Sequence, residues 1–140
     1  MTRINIIPPE ELYDQHLIAE YREIFMVPGS LRRVLKSKIG YQSSKISSQY
    51  TLNKGHVYFF FDKGLYLEKR YNLIIKEMQK RGMNPDVNRL FPKDSFPEKQ
   101  YKDWMPSEKE MNIARERIEL RINEKPNWYR KTPPHQSRLK

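Results

Sequence analysis

The residues best suited to chemistry stand at the start of the chain, in MTRINIIPPEELYDQHLIAEYRE, residues 1–23. Thr2 follows the initiator methionine, and so small a second residue lets an aminopeptidase remove Met1. The mature chain is then expected to begin with the α-amine of Thr2, a candidate nucleophile. An α-amine has an ordinary pKa of about 7.7–8.0 against about 10.4 for lysine. A useful fraction of it is therefore unprotonated at neutral pH, whereas a lysine first needs desolvation or a cationic neighbour. In the same stretch the carboxylate Glu23 stands with Arg3, Arg22 and His16. Such a set offers a proton carrier beside cations able to hold an anion.

The charge balance says which anion to consider first. Lys and Arg number 27 against 17 acids, a net charge of +10 with pI near 9.8, which is the electrostatic footprint of a polyanion binder. Nucleic acid is the first candidate, and a basic surface that serves only solubility is the alternative. The chain has no cysteine, so it has no disulfide framework, zinc knuckle or thiol nucleophile and suits a reducing compartment. His16, His56 and His135 are far apart, with no spacing typical of metal ligands, so no metal or other cofactor is expected. The longest apolar run, residues 57–61, is too short for a bilayer, and neither a signal peptide nor a membrane span is expected.

These residues need elements to position them. With 140 residues, 37% of them hydrophobic, the chain fits one domain with a single core. Ile4, Ile6 and Ile7 make an apolar leader that Pro8 and Pro9 keep out of a helix interior. From Glu10, Leu12, Leu17, Ala19, Tyr21 and Ile24 follow a helical period, and Pro28–Gly29 should kink or split this first helix, with Ser30 capping a continuation. Residues 39–54 read as an exposed loop able to approach phosphates, or as a plain surface loop. The aromatic run GHVYFFF, residues 55–61, is expected to pack under a second helix that Asp62 caps and that runs from Lys63 to Arg81, ending at Gly82. Residues 83–106 carry four prolines and read as a loop with at most one short turn. Ser107 and Glu110 form a capping box for a third helix, with Met111, Ala114, Ile118 and Ile122 on one face and Arg115, Arg117 and Arg121 as its basic side. A basic-aromatic tail follows, Trp128, Tyr129, Arg130 and Lys131, and residues from about 132 onward are expected to fray.

TRIN at 2–5, DQHLIAEYRE at 14–23, GHVYFFFDK at 55–63, KRG at 80–82 and PNWYRK at 126–131 together resemble the pyrimidine-dimer DNA glycosylases known from phage as endonuclease V. The resemblance runs over nearly the whole length at similar spacing. It implies an all-α single domain of three main helices with long loops, its N-terminal segment threaded between helices one and three. It also implies a DNA glycosylase with apurinic/apyrimidinic lyase activity. In that chemistry the Thr2 amine attacks C1′ of the 5′ sugar of a cyclobutane pyrimidine dimer and forms an imine, and β-elimination then nicks the strand with Glu23 as the acid–base group.

By the same resemblance Arg3, Arg22, Arg117 and Arg121 hold phosphates, His16 lies in the active-site pocket, and Trp128, Tyr129, Arg130 and Lys131 contact DNA, although a docked aromatic anchor is an equal reading of Trp128. The implied partner is double-stranded DNA carrying ultraviolet-induced dimers, bound by a monomer with no membrane role. A phage, virus or bacterial origin and action in the cytoplasm are implied by the resemblance alone. Two departures stand out: Met26 occupies a position where some members carry arginine, and Thr132, Pro133 and Pro134 replace further tyrosines of the tail. Two other classes remain as alternatives, a non-catalytic basic DNA-binding protein on the same fold and a metal-dependent nuclease using Asp14, Glu20 and Glu23.

Overall fold

Pro28 decides where the first helical stretch breaks. In the computed structural model, which describes residues 3–134, Pro9–Glu11 forms a 3-10 turn, α1 spans Asp14–Glu23 and α2 spans Met26–Lys36. A proline ring clashes with the carbonyl four residues back, here that of Ile24, so the chain cannot run as one helix through 24–25. Pro28 instead sits buried in the first turn of α2, where a missing N–H is no loss. Ser30 thus lies inside α2 and does not cap it; its hydroxyl accepts from Arg33 Nη2 at 3.0 Å. The first helix also starts later than its apolar period suggests. Tyr13 is extended and supplies no cap, and the Asp14 N–H donates to the Arg130 carbonyl at 2.6 Å.

The aromatic run is core. His56–Phe59 forms a short helix, α3, and Phe59, Phe60 and Phe61 are each at most 2% exposed. Phe60 stacks on Tyr66 and Tyr66 meets Trp104 edge-on at 5.0 Å, placing the run beneath α4, Gly64–Lys80. Asp62 does not cap that helix; Lys63 is the N-cap residue, and Asp62 pairs with its ammonium. At the other end the Gly82 N–H donates to Gln79 O and the Met83 N–H to Met78 O, with Gly82 at φ 82°, the paired bonds of a Schellman close. Gly64 must be glycine, because a Cβ there would lie 2.7 Å from Phe96 and 2.9 Å from Tyr101.

The proline-rich stretch holds two 3-10 turns rather than at most one, Lys93–Ser95 and Glu98–Gln100, and it buries Phe91 and Phe96. The loop 39–54 likewise turns in at Tyr50, which is buried. The capping box forms as expected: Ser107 Oγ accepts from the Glu110 N–H, and Glu110 Oε1 from the Ser107 N–H, opening α5, Glu108–Glu124. Ala114 and Ile118 are buried, and Met111 and Ile122 pack at the margin. One core runs from Ile4 to Ile118, α1 packs on α4, and the described residues hold no strand, only a lone Lys63–Tyr101 bridge. The fold is all-α. No helix among these residues is long and apolar enough to cross a membrane.

Candidate active site and nucleic-acid interface

A segment that is neither helix nor sheet must satisfy its amides elsewhere; residues 3–5 donate theirs to side chains, and the Ile7 N–H donates to the Asn5 carbonyl across Ile6. The Arg3 N–H donates to Glu23 Oε1 at 3.2 Å, the Ile4 N–H to His56 Nε2 at 2.9 Å and the Asn5 N–H to Glu20 Oε1 at 3.1 Å. The Ile4 carbonyl accepts from the Tyr50 hydroxyl at 2.7 Å, and the Ile7 carbonyl from Arg70 Nη1. Asn5 Nδ2 also donates to Glu20 Oε1, while Arg70 grips the same carboxylate through Nε at 2.7 Å and Nη2 at 3.1 Å. Both charged side chains are at most 3% exposed. Burial works against the Arg70 cation, but the Glu20 carboxylate holds its pKa above the ordinary value. Between the two anchors Ile6 has φ 50°, a region that β-branched residues rarely enter. Such a residue costs on the order of 1–3 kcal/mol and persists only where its surroundings over-determine it; here Ile6 is buried and flanked by the bonds of Asn5 and Ile7.

His56 is buried too, and burial, with repulsion from Arg3 and Arg117, pulls its pKa down to about 4 against a hydrogen bond to the Thr51 carbonyl. It is neutral near pH 7. Because Nε2 accepts from Ile4, Nδ1 carries the proton and donates to Thr51 O at 2.8 Å.

Glu23 closes α1 and is half-buried. His16, Glu20 and Glu23 recur at four and three residues and share one face of that helix. From α5 the charges of Arg117 and Arg121 reach His16, whose pKa falls to about 4, first through burial and then through those cations. Arg117 is itself held below its ordinary pKa, by burial first and then by Arg3 and Arg121, with Glu23 opposing. Guanidiniums that repel one another around one carboxylate are stabilised by a bound anion, and such groups cluster at functional sites. His16 Nδ1 is buried with no hydrogen-bond partner among the described residues.

Not every expected residue joins this cluster. Arg22 is exposed, about 100° round α1 from Glu23, and its carbonyl accepts from Arg89. Arg89 also donates to the Tyr21 carbonyl at 2.9 Å and lies 3.7 Å from the Phe25 ring centroid, so it stabilises the C-terminus of α1 beside Glu23. Arg115 turns to the other flank of α5, where it pairs with Glu11 and Glu108. Of the tail, Tyr129 stacks on His16 at 4.8 Å between ring centroids. Gln15 holds it there, donating to Trp128 O at 2.6 Å and accepting from the Arg130 N–H at 3.0 Å. Trp128 is 54% exposed and no core anchor, Arg130 is exposed, and Lys131 lies 5.8 Å from the Tyr13 ring. Thr132 is not frayed: its N–H and hydroxyl both donate to Asp14. Thr2 lies outside the described residues, as do residues 135–140. Among the described residues no group of three or more His, Cys, Asp or Glu side chains is placed to hold a metal.

A sequence-family model described as pyrimidine dimer DNA glycosylase matches residues 1–90. The chain belongs to this family. Pyrimidine dimer DNA glycosylase activity, with dimer-containing DNA as the partner, is what membership implies. The matched span holds the docked N-terminal segment, α1 with Glu23, the His56 turn and α4. It ends before α5, so the matched span does not cover Arg117, Arg121 or Tyr129, which only geometry brings beside Arg3 and His16.

Sequence reasoning gave no role to His56, Tyr50, Asn5, Arg70 or Arg89, and considered Glu20 only as a metal ligand. Signals existed for two of them. Glu20 falls between Leu17 and Ile24 at helical spacing, and Arg70 between Leu67 and Ile74. A charge inside an apolar stripe announces a buried partner, although the identity of that partner, fifty positions away, is not local information.

Proposed function

We propose that this glycosylase cleaves the glycosylic bond of the 5′ base of a cyclobutane pyrimidine dimer in double-stranded DNA through an imine with its own N-terminal amine, and then nicks the strand by β-elimination as a lyase. The observation that carries the reading is the hydrogen bond from the Arg3 amide to Glu23. One residue spans at most about 3.3–3.6 Å, so the amine of whatever residue precedes Arg3 is tethered within about 7 Å of that carboxylate. With Met1 removed, this residue is Thr2 and its amine is a primary nucleophile.

The reaction balances with these groups. The amine nitrogen bonds to C1′ as the C1′–N glycosylic bond breaks; the base, still joined to its 3′ neighbour through the cyclobutane ring, keeps the electron pair and takes a proton from water, and the nitrogen gives a proton to Glu23. Opening of the C1′–O4′ bond gives the imine, and O4′ takes a proton that Glu23 is positioned to supply. The imine acidifies C2′; Glu23 accepts that proton, the electrons move to expel the 3′ phosphate, and water finally releases the amine. Arg3, Arg117 and Arg121 hold phosphates flanking the lesion, with exposed Arg22, Arg130 and Lys131 extending the contact. His16 and Tyr129, stacked on each other, line the pocket, and Trp128 offers an exposed ring for a base to stack on. The protein acts as a single-domain monomer.

Borohydride trapping on dimer-containing duplex tests the proposal. A covalent adduct at the Thr2 α-amine is expected. Acetylating that amine, or adding one residue before it, should abolish the adduct, since up to about 3.5 Å of displacement exceeds a near-attack geometry. Glu23→Gln should leave binding within a few-fold while lowering strand cleavage by at least ~10²-fold. An adduct that survives blocking and disappears on mutating a lysine reassigns the nucleophile. No adduct and no nicking with unblocked protein would leave only a non-catalytic DNA binder.

A further inference from the structure

We infer that His56 and Tyr50 are positioning residues: they grip Ile4 from both sides and so fix the register of the N-terminal segment against Glu23. The inference rests on the amine-nucleophile reading above and concerns how a nucleophile on a chain end is held still. Chain ends fray unless tied down, and a nucleophile must sit within about 3–3.5 Å of its target, with a 1 Å misplacement able to cost about 10²-fold. Ile4 is two residues from Thr2. Its N–H is held at 2.9 Å by His56 Nε2 and its carbonyl at 2.7 Å by the Tyr50 hydroxyl, and all three residues are at most 1% exposed.

The two gripping rings are themselves fixed. They meet edge-on at 5.4 Å, and each packs edge-on against Phe60, at 5.5 and 6.2 Å. His56 is locked in the accepting tautomer by Thr51. The Tyr50 N–H donates at 2.7 Å to Glu110 Oε2, the same carboxylate whose other oxygen closes the α5 capping box. A continuous set of hydrogen bonds therefore joins the start of α5, the helix that carries Arg117 and Arg121, through Tyr50 to Ile4. It sets the segment that bears the amine and the helix that bears the phosphate-holding cations in one frame. The Glu20–Arg70 pair secures Asn5 and Ile7, but it is also a buried ion pair of the core, so its loss would mix folding with positioning. His56 and Tyr50 separate the two, because a ring or its volume can stay while the polar atom is removed.

The experiment compares wild type, Tyr50→Phe, His56→Leu and His56→Gln, each with Met1 removal confirmed by mass and folding checked by thermal denaturation. Three quantities are read: affinity for undamaged duplex, the single-turnover rate of borohydride-trapped adduct at saturating dimer-containing DNA, and the rate of reductive methylation of the α-amine by formaldehyde. Duplex affinity and methylation should stay within about 3-fold, because the cations and the amine are intact. Trapping should fall about 10-fold in Tyr50→Phe and about 10²-fold in His56→Leu. His56→Gln, whose amide oxygen can accept from Ile4, should recover at least about 10-fold of the leucine loss. If Tyr50→Phe and folded His56→Leu trap at the wild-type rate, or lose trapping only in step with duplex affinity, the two residues are structural and the inference falls. If wild type itself gives no N-terminal adduct, the nucleophile reading has failed and takes the inference with it, a result readily told apart from the first.

Discussion

Lowering the pH from 7 to 5 should remove about 2 kcal/mol of folding stability through His56 alone. The ring is 1% exposed and its pKa in the folded protein is about 4, whereas a histidine in the unfolded chain titrates near 6.5. The unfolded chain therefore takes up the proton first. The stability contributed by neutral His56 is complete above about pH 6.5 and drains away as the pH falls toward 4. At pH 5 the unfolded side chain is about 1.5 pH units below its midpoint, and 1.36 kcal/mol per unit gives about 2 kcal/mol. Protonation would also turn the acceptor of the Ile4 N–H into a donor and set a cation facing Arg3 and Arg117, with Glu20 the acid opposing them. The carboxylates held below their ordinary range, Glu11, Asp14, Asp103 and Glu110, lose their contribution only at lower pH and do not blur this window. His16 acts in the same direction, so His16→Gln is the background for the comparison. Urea unfolding at pH 7 and pH 5, at fixed ionic strength, should show a loss about 2 kcal/mol larger with His56 present than in the His56→Gln variant, a midpoint difference of roughly 1 M. Equal losses in the two proteins would refute the reasoning, since the acid sensitivity would then come from other groups.

Breaking the buried pair from either side, by Glu20→Gln or Arg70→Met, should cost about 3–5 kcal/mol by denaturant unfolding, and the double variant should cost clearly less than the sum because each single change strands the other partner. Replacing Arg117 and Arg121 together by glutamine should flatten the log–log salt dependence of duplex binding by about 2, at roughly 0.9 per phosphate contact; an unchanged slope would mean that α5 does not face DNA. Ser107→Ala should cost about 1 kcal/mol by thermal unfolding, with trapping unchanged once the protein is folded.

What the sequence determined by itself is local. Ser107 and Glu110 lie three residues apart, so the capping box was legible before any tertiary contact; Arg81–Gly82 likewise marked a helix end, because only glycine readily takes the left-handed conformation found there. Pro28 announced a break, although the clash that places it at residues 24–25 acts four residues upstream. The candidate chemistry at Glu23, Arg117 and Arg121 was legible as residue types. Tertiary structure alone decided which of them meet. On α5 a spacing of two residues is about 200° of rotation, so Arg117 turns toward Arg3 and His16 while Arg115 turns to Glu11. Glu20 and Arg70 find each other across fifty positions, and Ile4 finds Tyr50 and His56 across more than forty. Those pairings follow from helix packing and from the need to satisfy every buried donor, and neither is written in any window short enough to read as a motif.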